Sequence, residues 1–216
     1  MASRHEPSGG FTLIELLVAI SILAIVAVLG WRGLDSIVRA RIALTADLEQ
    51  TRGMQLTFAQ LQSDCANIAP FSTIPNRAPL VAEEGRLLLV RNVYADSQPS
   101  RLQVVTYRVR DGKLTRHESP ATRDLGEIDS AWISAASDAT IAQAVVLQAG
   151  VDSIAMRLWS SDGSGWRNGV AGAAPLIPQA VRVAGALPTV ITGLEVSLQV
   201  TGRSLPMQKV FLLGAV

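Results

Sequence analysis

The chain is short of most residues on which enzymes and metal proteins build their chemistry. Among 216 residues there is one cysteine, Cys65, and there are two histidines, His5 and His117. A single cysteine rules out an intramolecular disulfide, and no CxxC or Cys/His spacing offers a metal site. Charged residues make up 17% of the chain and net to +1, so charge gives no argument for nucleic acid or an anionic surface as partner. Proline is missing from Arg32 through Ile68, which leaves a long helix uninterrupted there, whereas Pro70, Pro75 and Pro79 crowd the next stretch and end it. No Ser/His/Asp set, carboxylate pair or nucleophile elbow stands out. Gly163-Ser164-Gly165 is not a phosphate loop, because no lysine or helix start follows it. Ser160 to Gly165, bracketed by Trp159 and Trp166, lacks the alternating carboxylates of a calcium loop and reads as a hairpin loop between packing tryptophans. Cys65 reads as a small apolar residue on a helix face. Nothing in these residues argues for catalysis, a cofactor or a metal.

What the chain does have is a long apolar run. Phe11 to Trp31 carries one charge, Glu15, and as a helix it spans about 30 Å, the hydrocarbon thickness of a bilayer. A carboxylate in such a segment costs about 2.5–3.5 kcal/mol on insertion scales, which marks Glu15 as functional. An ordinary secretory signal would be shorter, begin with a strongly basic region and end in a small-x-small cleavage site. Here Arg4 is offset by Glu6 and the run is too long. A plain signal anchor would explain the length but neither Glu15 nor Gly9-Gly10.

The block Gly10-Phe11-Thr12-Leu13-Ile14-Glu15-Leu16-Leu17-Val18-Ala19-Ile20 resembles the processing site of type IV pilins and type II secretion pseudopilins. The resemblance implies that a prepilin peptidase cuts between Gly10 and Phe11 and methylates the new amine of Phe11. It also implies that Glu15 pairs with the N-terminal amine of a neighbouring subunit during filament assembly. The chemistry is coherent, since a carboxylate in lipid is offset only when a cation lies at the same depth. A positive-inside count points the other way. Arg32, Arg39 and Arg41 follow the run, and Arg4 and His5 are the basic side chains before it, which would leave the large domain in the cytoplasm. The resemblance implies a cytoplasmic leader and a periplasmic domain.

Beyond the run, two apolar stripes recur at helical spacing. Leu34, Ile37, Val38, Leu44 and Leu48 form the first, placed to meet partner helices in a bundle; Met54, Phe58, Leu61, Cys65 and Ile68 form the second, expected to pack on the chain's own domain. Gly30, Gly33 and Gly53 are candidate weak points of this helix. After residue 80 the pattern changes to short strands: Leu87 to Val90, Leu102 to Arg110, Lys113 to Arg116, Ala144 to Leu147, Ile154 to Trp159, Leu194 to Thr201 and Lys209 to Leu213. Asp111-Gly112 signals a type I′ hairpin. In the strand before it, Val105, Tyr107 and Val109 share one face, and Thr106, Arg108 and Arg110 the other. The fold class is α+β, a long N-terminal transmembrane and amphipathic helix followed by an antiparallel β domain. The organisation expected is a cleaved leader at 1–10, a transmembrane helix at 11–31, the periplasmic part of the helix at 32–69 and a periplasmic β domain at 70–216.

Further stretches narrow the resemblance to the minor pseudopilin J family of type II secretion. They are Trp31-Arg32-Gly33-Leu34-Asp35-Ser36, Leu61-Gln62-Ser63-Asp64, Val151 to Trp159 with Gly165-Trp166, Pro178 to Val183, and Val210 to Leu213. Ala184 to Gly193 reads as an insertion within that pattern. The resemblance implies a pilin-like fold and a non-enzymatic subunit of the bacterial inner membrane, single-pass, with its C-terminal domain in the periplasm. Its partners would be minor pseudopilins I, K and H at the pseudopilus tip, the prepilin peptidase, the inner-membrane assembly platform and the exoprotein cargo, with no nucleic acid. The alternative is a minor type IV pilin of a pilus or competence system.

Overall fold

The computed structural model describes residues 11–74, 77–137, 143–161, 165–169 and 191–214. One helix, α1 (Leu13–Ala66), opens the chain. Residues through Glu49 form one unit, and the chain from Gln50 onward forms a second.

In the first unit α1 is exposed almost throughout, including every large apolar residue from Leu13 to Leu48. In the second, Met54, Phe58, Leu61 and Cys65 are buried, each one helical turn after the last, as the second stripe requires.

The second unit adds two antiparallel sheets. The first has five strands in sequence order: β1 (Leu80–Glu83), β2 (Arg86–Ala95), β3 (Gln98–Arg110), β4 (Lys113–Glu118) and β5 (Val145–Ala149). The second has four: β6 (Val151–Ser160), β7 (Gly165–Asn168), β8 (Ile191–Val200) and β9 (Met207–Leu212), ordered β7-β6-β8-β9. Between β4 and β5 lies a helix, α2 (Leu125–Ala136), whose N-cap Asp124 accepts a hydrogen bond from the Gly126 N–H at 2.7 Å.

The hairpin at Asp111-Gly112 has positive φ at both residues, +50° and +69°, with Arg110 opposite Lys113. That is the type I′ geometry whose twist matches the flanking strands, and glycine adopts its second position without strain. The expected strands are all present, with ends displaced: β5 runs Val145–Ala149, β9 ends at Leu212, and β8 begins at Ile191, inside the stretch read as an insertion. Residues 1–10, the Pro178 to Val183 element, most of that insertion (184–190) and residues 162–164 of the loop between the tryptophans lie outside the described residues.

Alternate residues of the first sheet enter two separate cores. Leu87, Leu89, Val105, Tyr107 and Leu114 join the α1 stripe and the inner residues of the second sheet, among them Met156, Leu158, Leu194, Val196 and Phe211. Leu88, Val90, Leu102 and Val104 face the other way and pack with Ile128 and Ala135 of α2. β3 is thus buried on both faces, since Val104 and Thr106 are buried on the face opposite Val105 and Tyr107. The cover on that face is α2, whose short amphipathic pattern does not stand out in the sequence. In β8 the alternation holds, with Leu194, Val196, Leu198 and Val200 in the core.

Gly53 also reads differently in three dimensions. A Cβ there would lie 2.0 Å from Gln148 Oε1 and 3.3 Å from the Leu147 carbonyl oxygen, so the missing side chain admits β5 against the helix. Leu61 is fully buried where α1 meets both sheets. Leu61→Ala is expected to lower stability by about 2–5 kcal/mol, read as a reduced urea midpoint with unchanged slope for the full chain in detergent.

Candidate functional site

The first described residues, from Phe11 onward, include Phe11 and Glu15, to which the sequence reading assigns processing and assembly. Gly10 falls outside them. Phe11 is 85% exposed and precedes the helix. Thr12 is the N-cap residue of α1 and Glu15 occupies the third helical position. The Thr12 N–H donates to Glu15 Oε2 at 3.4 Å, and the Glu15 N–H donates to Thr12 Oγ1 at 3.3 Å. The Thr12 hydroxyl also lies 3.3 Å from Glu15 Oε2. This is a capping box, in which two orphan N–H groups of the first turn are satisfied reciprocally, and the carboxylate also faces the positive end of the helix. Thr12 was not singled out by its sequence position, although the Thr-x-x-Glu spacing carries the signal. Within the subunit, therefore, Glu15 already has hydrogen-bond donors.

From Leu13 the helix is long and apolar enough to cross a membrane, and the apolar part is unburied. Water would charge for that surface at roughly 25 cal/mol per Å², so it needs lipid or other apolar helices around it. The first stripe beyond Trp31 is equally exposed, with Leu34, Ile37, Leu44 and Leu48 each 56–66% open.

The end of α1 carries a feature of the opposite kind. Asp64 is fully buried, and its carboxylate accepts from Tyr107 Oη at 2.5 Å, Arg91 Nη1 at 2.7 Å, Arg116 Nε and Nη2 at 2.9 and 3.2 Å, and Gln60 Nε2 at 3.2 Å. Three neighbouring strands, β2, β3 and β4, each supply a donor to one helical side chain. Gln103 accepts from Arg91 and donates to the Ser119 carbonyl, while Glu118 takes the outer nitrogen of Arg116. Burial, then the charge and hydrogen bond of Asp64, push the Tyr107 phenol well above its ordinary range. Burial pulls the Arg116 guanidinium down, but its hydrogen bonds and attraction to Asp64 outweigh that and raise it. Burial, with Asp64 adding, pushes the Cys65 thiol up to about 12, which makes it an inert core residue. Asp64 entered the sequence reading only through Leu61-Gln62-Ser63-Asp64. Its strand partners lie 27 to 52 residues away and have no local signature.

On the outer side of the second sheet, Trp159 and Trp166 face each other across β6 and β7, edge to face with ring centroids 5.4 Å apart. Beside them Arg157 holds Glu195 through both carboxylate oxygens, at 2.5 and 2.7 Å, and keeps that carboxyl below its usual range. The tryptophans pack as expected, and the described part of the loop between them is the hairpin connection that was read.

The N-terminal segment and the fold together define a pilin-like protein with an N-terminal methylation signal. Comparison with known proteins agrees at both ends. Residues 7–31 match the model of the prokaryotic N-terminal methylation motif, and residues 32–190 match that of type II secretion system (T2SS), protein J. Type II secretion system protein J of Klebsiella pneumoniae is 29% identical over 120 residues, covering 50% of this chain and 61% of the relative. The chain belongs to the type II secretion system protein J family, a family of structural pseudopilins.

Two outcomes follow from the buried cluster. Asp64→Asn or Asp64→Ala leaves two arginines without their buried partner and is expected to cost about 3–5 kcal/mol, measured by urea unfolding of the full chain in detergent. For the alkaline limb, Cys65 and Tyr107 are both held neutral in the folded state. Their contribution is present below the unfolded pKa values and is lost as pH rises above about 9 toward about 12. Stability should fall across that window, and Cys65→Ala should make the fall shallower.

Proposed function

We propose that this chain is a precursor inserted once in the bacterial inner membrane, cut between Gly10 and Phe11 by a prepilin peptidase and methylated on the Phe11 amine. Residues 11–31 are its membrane span, 32–69 the periplasmic continuation of the helix, and 70–216 the periplasmic domain. The mature subunit joins minor pseudopilins I, K and H at the pseudopilus tip, engages the inner-membrane assembly platform, starts filament growth and supports exoprotein export.

The observation that carries this reading is the wholly exposed apolar helix with one carboxylate in its first turn. The domain does not use that surface for its own core. The capping box lowers the cost of holding Glu15 in lipid before assembly, and a neighbour's cationic amine would then supply a counter-charge. Support for the type II system over a pilus or competence system comes from the family match.

Co-expression of the full chain with a prepilin peptidase, followed by intact mass measurement, tests the first step. The expected product lacks residues 1–10 and carries one added methyl group; an uncut chain overturns the reading. Glu15→Leu is expected to be cut normally but to enter no filament, seen as loss of co-sedimentation with sheared pseudopili. Retention in filaments at the wild-type level would remove Glu15 from assembly.

A further inference from the structure

The first exposed stripe contains a charge. Leu34, Ile37, Arg41, Leu44 and Leu48 are spaced 3, 4, 3, 4, the alternation that keeps one seam of a helix facing a partner helix. Carried back toward the N-terminus, the same alternation meets only apolar residues or glycine as far as Leu13. Arg41 is therefore a single cation in an otherwise apolar seam.

Its charge is not compensated on its own helix. The positions three and four residues away are Val38, Leu44, Ile37 and Thr45, none of them acidic. The Thr45 hydroxyl donates to the Arg41 carbonyl at 2.9 Å and leaves the guanidinium untouched. By contrast, Arg39 pairs with Asp35 at 2.7 Å. Among the described residues Arg41 makes no ion pair. Lipid phosphate does not answer either. Arg41 lies ten residues past Trp31, about 15 Å along the helix, whereas the headgroup layer extends only about 5–8 Å beyond the hydrocarbon.

We propose that this seam docks a parallel helix of a different pseudopilin that carries an aspartate or glutamate opposite Arg41, and that Arg41 excludes a second copy of this chain. The inference rests on the assembly reading above. Helices entering one membrane from the same side must pair in parallel. Two copies of this chain in register would then set one Arg41 against another inside an apolar contact, a like-charge clash with no acid in reach. A partner with a carboxylate at that level turns the same cation into an interhelical ion pair. One polar residue in an apolar seam is how coiled coils fix register and partner.

The test uses the full, processed chain co-expressed in membranes with each other minor pseudopilin of its own secretion system, captured through a tag. Arg41→Glu is expected to reduce the co-captured partner at least tenfold, and replacing the facing acid of that partner by arginine to restore it. In detergent micelles, the wild-type chain alone is expected to sediment as a monomer and Arg41→Leu to self-associate. Arg41 is exposed, so the urea midpoint of the variants should match that of wild type. Capture of Arg41→Glu at the wild-type level, or an Arg41→Leu chain as monomeric as wild type, overturns the inference alone. A wild-type chain captured by none of the pseudopilins overturns the assembly reading and the partner helix with it.

Discussion

The second unit is organised around a charge that has no water. Asp64 is completely buried at the end of α1, and such a carboxylate is tolerable only when donors surround it. Meeting that condition takes Arg91, Tyr107 and Arg116 from three adjacent strands, which must lie in one register for their donors to converge. Leu61 and Cys65, on either side of Asp64, press into the apolar core that the two sheets share. Apolar contact alone would let a helix slide on a sheet. A carboxylate with five donors does not, because each lost hydrogen bond leaves a buried group unpaired.

The first unit obeys the reverse rule. From Leu13 to Leu48 the helix leaves its apolar side chains open, and its charges are few, among them Glu15 in the capping box, Asp35 paired with Arg39, and Arg41. Membership in a family of structural pseudopilins gives that exposure a use. In the function proposed above, that unburied surface meets lipid and the helices of other subunits. On that proposal the two tasks are separate in sequence, with folding assigned to the residues from Gln50 onward and association to those before it.

Legibility followed the range of the interactions. The apolar run with its lone Glu15, the two stripes of α1, the Asp111-Gly112 hairpin and the alternation of β8 are all local patterns, and each was readable from spacing. The capping box is a local pattern too, Thr12 three residues before Glu15. β1, β7 and α2 are not among the expected elements, because strands of four residues and a twelve-residue helix with two buried side chains leave weak periodicities. The two-faced burial of β3 went with α2, since an alternating strand looks half exposed until its cover is known.

The sequence by itself determined the class of fold, the presence of one long N-terminal helix with its apolar run, and the N-terminal methylation motif. These depend on period, length and composition over a few neighbouring residues. Only the tertiary structure decided that Asp64 draws in Arg91, Tyr107 and Arg116, that Gly53 is small because β5 passes close by, and that Leu88 and Val104 have a core of their own. Those outcomes depend on which distant residues share a buried volume. Burial and the dielectric it imposes are properties of the assembled fold, and no local window of sequence contains them.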